Sequence, residues 1–187
     1  KSEERVRARV GSVAPIPKSV ATWFDGHVLK ELAGLREEIL ACEDAMDRDA
    51  MRIVFSSILV KVSKKRADSS RAEAVKTIRK GLVTEFFERK GRELVERQAA
   101  LAEHLPKGAK APRFLNADVR ALDRLLAPET RFDLVLSSPP YGGTYDYAEH
   151  HELRYAFLGL DPTGLSHDEI GARRFSQESG AIRRWDE

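Results

Sequence analysis

The sequence predicts an α/β fold in which part of a parallel β-sheet follows a helical N-terminal region. Three observations lead to this prediction. Apolar residues recur at helical spacing between Trp23 and His104, turn-forming residues interrupt the pattern at 106–112, and an apolar run of strand length follows at Phe132–Ser137. Strand, short helix and strand in succession favour parallel strands that are covered on both faces.

The N-terminal part divides into an arm and a helical region. Residues 1–22 are polar and contain Pro15 and Pro17, which lack backbone N–H donors and disfavour helix, so this segment is predicted to be a linker or arm. Residues 23–110 are predicted to form a helical insertion or lid. Its helices are expected from the N-cap Asp25 to about Cys42, from Asp47 or Asp49 to near Ser63, and from Arg71 to about His104.

Residues 111–187 are predicted to form part of the sheet domain. The expected elements are a strand at Arg113–Asn116 ending near Asp118, a short helix at Leu122–Leu126, the strand at Phe132–Ser137, a helix from Ala148 to Leu158, and a short helix with a capping box of Ser166 and Glu169.

Charge and composition favour an intracellular protein without naming its partner. The 187 residues include 32 Lys and Arg against 30 Asp and Glu, so the net charge of +2 says little. The stretch between Lys61 and Arg92, however, contains eleven basic and four acidic residues. This excess suits contact with phosphate, and a solvated helix face is the alternative.

Several classes of protein are excluded. The single cysteine, Cys42, rules out an internal disulfide and fits a reducing cytosol, and the chain has neither a membrane-spanning apolar run nor a signal peptide. We therefore expect a cytoplasmic protein, and its start without Met indicates a piece of a longer one.

No metal site is predicted, because the adjacent His150 and His151 point in different directions on a helix.

The end of the second predicted strand has the chemistry of a binding loop. Ligands bind beyond the carboxyl ends of parallel strands, where Ser138 and the residues after it would lie. Pro139 and Pro140 fix the backbone and lack N–H donors, so nearby carbonyls are free to accept hydrogen bonds from a flat, amine-bearing heterocycle. The alternative is a proline-rich ligand or an ordinary turn.

A strand followed by Ser138-Pro139-Pro140-Tyr141 resembles the catalytic motif of amino-group DNA methyltransferases, and the Ser form resembles the N4-cytosine enzymes most. The resemblance implies part of a Rossmann-like methyltransferase sheet, S-adenosyl-L-methionine as cofactor and DNA as substrate. It also implies that Ser138 and the Pro139 carbonyl accept hydrogen bonds from the exocyclic amine while Tyr141 stacks on a flipped base. Adenine N6 is the nearest alternative target.

Further segments are similar to the same group. Residues 141–154 resemble the segment after the motif in a bacterial DNA-methylase subgroup, which implies that Tyr145 and Tyr147 line the base pocket. Residues 63–71 resemble a polar segment that precedes the catalytic region there, where we expect DNA contact. Asp118 would bind the cofactor's adenine amine, with a simple helix cap as the alternative.

The chain departs from the family at the cofactor loop. None of its twelve glycines forms the expected Phe-x-Gly-x-Gly turn, and no strand ends in an acid placed to hold the ribose. Two other functions therefore remain open. One is a non-catalytic fragment or subunit that binds DNA or a partner supplying the cofactor half, and the other is methylation of RNA or of protein glutamine.

Overall fold

The computed structural model describes residues 16–68, 70, 72–138 and 143–175. Within these ranges 54% of the residues are helical, and no β-strand or sheet forms. The prediction of an α/β fold with a partial Rossmann-like sheet is therefore wrong for the described part of the chain. Its β structure is an isolated antiparallel bridge between Lys65 and Glu73.

The described residues contain short and long helices in two compact units. The α-helices are α1 Lys18–Ala21, α2 Gly26–Leu40, α3 Ala45–Ile58, α4 Leu82–His104, α5 Leu122–Leu125, α6 Tyr147–His150, α7 Glu152–Leu158 and α8 Thr163–Asp168, with 3-10 helices at Val119–Ala121 and Arg173–Phe175. Unit 1 comprises the described residues up to Glu103 with Tyr147–His167, and unit 2 comprises His104–Asp146 with the described residues from Asp168 onward. None of these helices has the length and apolar character needed to cross a bilayer.

Helix α2 forms where its sequence pattern predicts it. Asp25 occupies the N-cap position, and Val28, Leu32 and Ile39 on one face of the helix are buried. Helix α3 instead begins after Asp44, whose side chain accepts a hydrogen bond of 2.8 Å from the Asp47 N–H. The predicted caps, Asp47 and Asp49, lie inside the helix, because Asp44 already satisfies a free N–H of the first turn.

The core of unit 1 is built from helices that are distant in sequence. The helix after the predicted catalytic motif, α7, packs against α1 and α3 and contributes the buried residues Leu153 and Phe157. The Phe157 ring lies edge-on to Phe24 at 5.3 Å and to Phe55 at 6.0 Å between ring centroids. Such edge-to-face pairs add to the stabilisation that comes from burying the aromatic area.

Residues 72–80 do not form the predicted beginning of the third helix, because other contacts hold them. Lys76 donates from Nζ to the carbonyls of Val60 at 3.0 Å and Lys65 at 2.6 Å, just beyond the end of α3. Burial lowers the pKa of this ammonium below its ordinary value. Gly81 then turns the chain at a positive φ of 83° before α4 begins at Leu82.

The predicted strands at Arg113–Asn116 and Phe132–Ser137 are irregular and exposed. Phe114, Leu134 and Leu136 have 87%, 81% and 93% of their surface accessible. A strand needs a neighbour to pair its backbone N–H and C=O groups, and the described residues provide none for these segments.

The predicted capping box of Ser166 and Glu169 is also wrong. Helix α8 begins earlier, at Thr163, whose N–H and hydroxyl both donate to the Asp161 carboxylate at 2.9 and 2.6 Å. Asp161 satisfies the free N–H at the start of the helix, so Ser166 lies inside it. Glu169 follows the helix and binds Arg174 instead.

Candidate functional site

The predicted catalytic loop is described only at its first residue. Ser138 is exposed and lies in an irregular segment of unit 2. Pro139, Pro140 and Tyr141 lie outside the described residues. Their role in binding a base therefore stays a prediction from the sequence.

The chain directly after the loop is held by backbone and side-chain contacts within unit 2. The Gly143 N–H donates to the Gly171 carbonyl and the Arg173 N–H donates to the Tyr145 carbonyl, both at 2.9 Å. Tyr145 itself is 41% exposed. Residues 143–145 are thus tied to the chain near the 3-10 helix Arg173–Phe175.

A charge cluster reinforces this connection. Arg174 bonds to the carboxylates of Asp146 and, at 2.8 Å, Glu169, which are only 6% and 5% exposed. Burial by itself lowers the pKa of the Arg174 guanidinium, but the hydrogen bond that it donates to Glu169 and the charges of both carboxylates outweigh this effect, and the pKa lies above its ordinary value. Arg174 therefore stays charged and compensates two acids that would be costly to bury unpaired.

Asp118 acts as a helix cap in the structure. Its Oδ1 accepts from the Arg120 N–H at 2.9 Å, and the Arg120 side chain bonds to both carboxylate oxygens at 2.7 to 3.1 Å. These hydrogen bonds from Arg120 lower the pKa of the Asp118 carboxyl. Both carboxylate oxygens thus accept from Arg120, and the Asp118 side chain remains 45% exposed. The structure therefore supports the cap, and the binding of an adenine amine by Asp118 stays a prediction.

Tyr147 is the first residue of helix α6 in unit 1, and its ring is close to the rings of two histidines. Its ring centroid is 6.5 Å from that of His151 with an angle of 26° between the planes, and 6.3 Å from that of His150. The predicted single helix over residues 148–158 is two helices, because the chain breaks at His151 between α6 and α7. No metal-binding group of His, Cys, Asp and Glu occurs among the described residues.

Two ion pairs connect the segment 63–68 with helix α7. Lys65 is 3% exposed, and its Nζ lies 3.3 Å from Glu152 Oε2 and 5.3 Å from the centroid of the Trp23 ring. Arg154 donates from its two terminal nitrogens to the two oxygens of Asp68, at 2.8 and 3.1 Å. We call these five residues the clamp cluster.

Local backbone contacts fix the course of the chain around Lys65. The buried Ser63 hydroxyl donates to the Val60 carbonyl at 2.9 Å and accepts from the Lys65 N–H at 3.1 Å. The Lys64 N–H donates to the Trp23 carbonyl at 2.7 Å, and the Lys64 carbonyl accepts from the Ala74 N–H at 2.7 Å. Lys65 is therefore held below the surface beside Trp23.

Sequence reasoning did not find the clamp cluster. Its partners are 86 and 87 residues apart, and each is an ordinary charged residue in a charged sequence. The one signal was that both segments, 63–71 and 141–154, resemble parts of the same enzyme group. Nothing in the sequence indicated that they contact each other.

Acids outside the stretch offset part of the basic excess between Lys61 and Arg92. Lys64 pairs with Asp25 at 3.1 Å, Lys65 with Glu152 at 3.3 Å, and Lys90 with Glu93. Positive charge remains on this part of the chain. Lys61, Arg66 and Lys80 are exposed cations of the same stretch.

Comparison with known proteins adds no identification. No protein-family model, no curated protein and no solved structure matches the chain. A function can therefore be inferred only from the motif at residues 138–141 and from the contacts around it.

Proposed function

We propose that the chain carries the base-recognising part of an S-adenosylmethionine-dependent DNA methyltransferase that acts on an exocyclic amino group, cytosine N4 in the first instance. The clamp cluster is the observation that supports this proposal. Through Lys65, Asp68, Glu152 and Arg154 it joins the two segments, 63–71 and 141–154, that resemble this enzyme group in sequence. Adenine N6 is the nearest alternative target.

The proposed chemistry places three groups around the target amine. The lone pair of this nitrogen is delocalised into the base, so acceptors on its two hydrogens favour the more tetrahedral, nucleophilic form. The Ser138 hydroxyl and the Pro139 carbonyl provide these acceptors. Tyr141 stacks on the flipped base, which offsets part of the few kcal/mol that extrusion from the duplex costs.

Most of the site for the methyl donor is assigned to a part that this sequence does not contain. S-adenosylmethionine supplies a methyl group on a sulfonium, and binding of its adenine amine by Asp118 would have to replace part of the pairing with Arg120. The sequence also lacks the glycine-rich cofactor loop. We accordingly assign base recognition, and not cofactor binding, to the described residues, in an enzyme that acts in the cytoplasm.

Contact with the DNA backbone is assigned to the exposed cations of residues 61–80. Lys61, Arg66 and Lys80 are exposed, and each phosphate contact releases a bound counterion, so affinity falls as salt increases. Replacement of all three by glutamine should weaken binding of any DNA sequence and flatten its salt dependence. This effect is distinct from that of the base-binding loop.

A second candidate is a non-catalytic subunit that binds DNA or a partner supplying the cofactor half. The exposure of Phe132, Leu134 and Leu136 favours it, because neighbouring large apolar side chains in water are typical of a surface that another protein covers. In this case the chain binds DNA or that partner and transfers no methyl group.

Substitution of Tyr141 tests the proposed function. In the complete enzyme, with its cofactor-binding half present, Tyr141→Ala should lower methyl transfer about five- to hundredfold, because stacking on a flipped base contributes roughly 1–3 kcal/mol. Tyr141→Phe is the matched control and should retain most activity, since the ring face and not the hydroxyl stacks. Ser138→Ala should lower kcat more than DNA affinity, because its hydrogen bond is strongest in the transition state.

The assay uses cytosine-bearing oligonucleotides, labelled S-adenosylmethionine and analysis of the released nucleosides. Label on cytosine N4 supports the proposal. Label on cytosine C5 or on protein, or full activity of Tyr141→Ala, contradicts it. DNA binding without any transfer, when the cofactor-binding half is also present, favours the second candidate.

A further inference from the structure

The same two stretches of chain are joined twice within unit 1. Lys65 pairs with Glu152 and Asp68 pairs with Arg154, so both residues of the second stretch lie on helix α7, two positions apart. A single ion pair between remote segments is common on protein surfaces. Two ion pairs between the same two segments restrict sliding and rotation of one segment against the other.

The cation of each pair is more buried than the cation of an exposed surface pair in unit 1. The side chains of Lys65 and Arg154 are 4% and 22% exposed and those of their partners Glu152 and Asp68 are 42% and 39% exposed, whereas those of Arg79 and Glu85 are 62% and 54% exposed. Exposed pairs contribute little because water and salt screen them. A buried ammonium requires its partner, since an uncompensated charge in the interior is costly.

Arg154 also contacts the helix that precedes α7. Its Nη1 lies 3.3 Å from the His150 carbonyl, the last residue of α6, and 3.2 Å from His151 Nδ1. The guanidinium is a donor only, so at this contact His151 Nδ1 is the acceptor. Helix α6 starts at Tyr147, six residues after Tyr141 in the sequence. One arginine thus links Asp68, helix α7 and the end of α6.

We propose that Asp68 and Arg154, with the pair of Lys65 and Glu152, form a latch that fixes the position of helix α6, and thereby of Tyr147, within unit 1. Its consequence for catalysis rests on the proposed function and on the prediction from the sequence that Tyr147 contacts the target base. The four residues are positioning residues and touch no reacting atom. Their effect passes through the His150 carbonyl and the His151 ring to the short helix that carries Tyr147.

Hydrogen exchange of the full chain tests the latch without any substrate. Asp68→Ala and Arg154→Ala should each speed amide exchange in residues 147–151 on the order of fivefold, the factor for a pair worth about 1 kcal/mol. Asp68→Asn, which keeps the shape of the side chain, should give a smaller change in the same direction. The exchanged-charge variant Asp68→Arg with Arg154→Asp should return exchange toward that of the unmodified protein.

The matched control is Arg79→Ala, which removes an exposed ion pair of the same unit with no contact to α6. It should leave exchange in residues 147–151 unchanged. If Asp68→Ala and Arg154→Ala also leave it unchanged, or if the exchanged-charge variant gives no recovery, the latch does not exist.

Steady-state kinetics separates positioning from mere stabilisation. In a methyl-transfer assay of the complete enzyme, Arg154→Ala should lower kcat while the KM for DNA stays within about twofold, because the proposed contact of Tyr147 is with the base and not with the backbone. Faster exchange with an unchanged kcat would overturn the positioning role. Absence of transfer by the unmodified complete enzyme would refute the proposed function, and the exchange measurement would then decide the latch by itself.

Discussion

Two apolar regions of this chain differ in burial: one packs in a core and the other is exposed. In helix α2 the apolar residues at helical spacing are buried, with Val28 and Leu32 at 0% exposure. In the run at residues 132–136, Leu134 and Leu136 remain 81% and 93% exposed. Both regions were predicted to lie in a core. Apolar patterning alone therefore does not decide burial here.

The difference comes from where each element finds its hydrogen-bond partners. A helix closes its hydrogen bonds within one segment and then needs only a packing partner for its apolar face. A strand needs a second strand at a matching register before its backbone groups are paired. For α2 the packing partner is α3, in a core to which α7 also contributes, whereas the described residues supply no strand beside 132–136.

The largest expected effect contrasts the two regions directly. Phe157→Ala should lower the free energy of unfolding of unit 1 by about 3–5 kcal/mol, because it empties the space between Phe24 and Phe55. Leu136→Ala should change it by less than about 0.5 kcal/mol, since this side chain is exposed. Urea denaturation followed by circular dichroism measures both. A loss above about 2 kcal/mol for Leu136→Ala would mean that the run is buried in solution.

A smaller effect compares the two aspartate caps. Asp44 caps helix α3 of the packed unit, and Asp44→Ala should cost about 1 kcal/mol of stability. Asp118 caps a three-residue 3-10 helix whose residues are not buried, so Asp118→Ala should leave the unfolding transition where it is. Thermal melts of both variants make the comparison. Equal losses would show that residues 118–121 belong to a cooperative core.

The smallest effect is a change of pKa in the exposed region. Hydrogen bonds from Arg120 lower the Asp118 pKa, so this pairing favours the ionised carboxylate and is lost as the pH falls through that lowered pKa. Arg120→Ala should raise the pKa toward the ordinary Asp value. NMR titration of the side-chain carboxyl carbon measures the shift. Asp161, whose pKa is lowered by Thr163, is the internal control and should not move.

The helices were predictable because their signals are local. Asp25 as N-cap, the face of α2 and the existence of helices near 45–58 and 82–104 follow from spacing and capping within one segment. The start of α4 was not predictable, because Lys76 leaves the helical pattern to bind the carbonyls of Val60 and Lys65. The start of α4 therefore depends on contacts with residues that follow helix α3.

The candidate site was predictable in its residue types but not in its arrangement. Pro139, Pro140 and Tyr141 identify a stiff loop with an aromatic ring from sequence alone, and that loop stays a prediction because it lies outside the described residues. For Asp118 the sequence left a cofactor contact and a helix cap open, and the structure shows the cap, with the carboxylate bonded to Arg120.

The sequence by itself determined the apolar face of α2, the N-cap position of Asp25, and the residue types present at residues 138–141. Only the tertiary structure decided that helix α7 enters the core of unit 1 and that Lys65 and Asp68 meet Glu152 and Arg154. The physical reason is range. Spacing and capping act over a few residues and can be read within one segment. These ion pairs and strand pairing instead require contact between two distant segments, and the sequence of one segment does not identify the other.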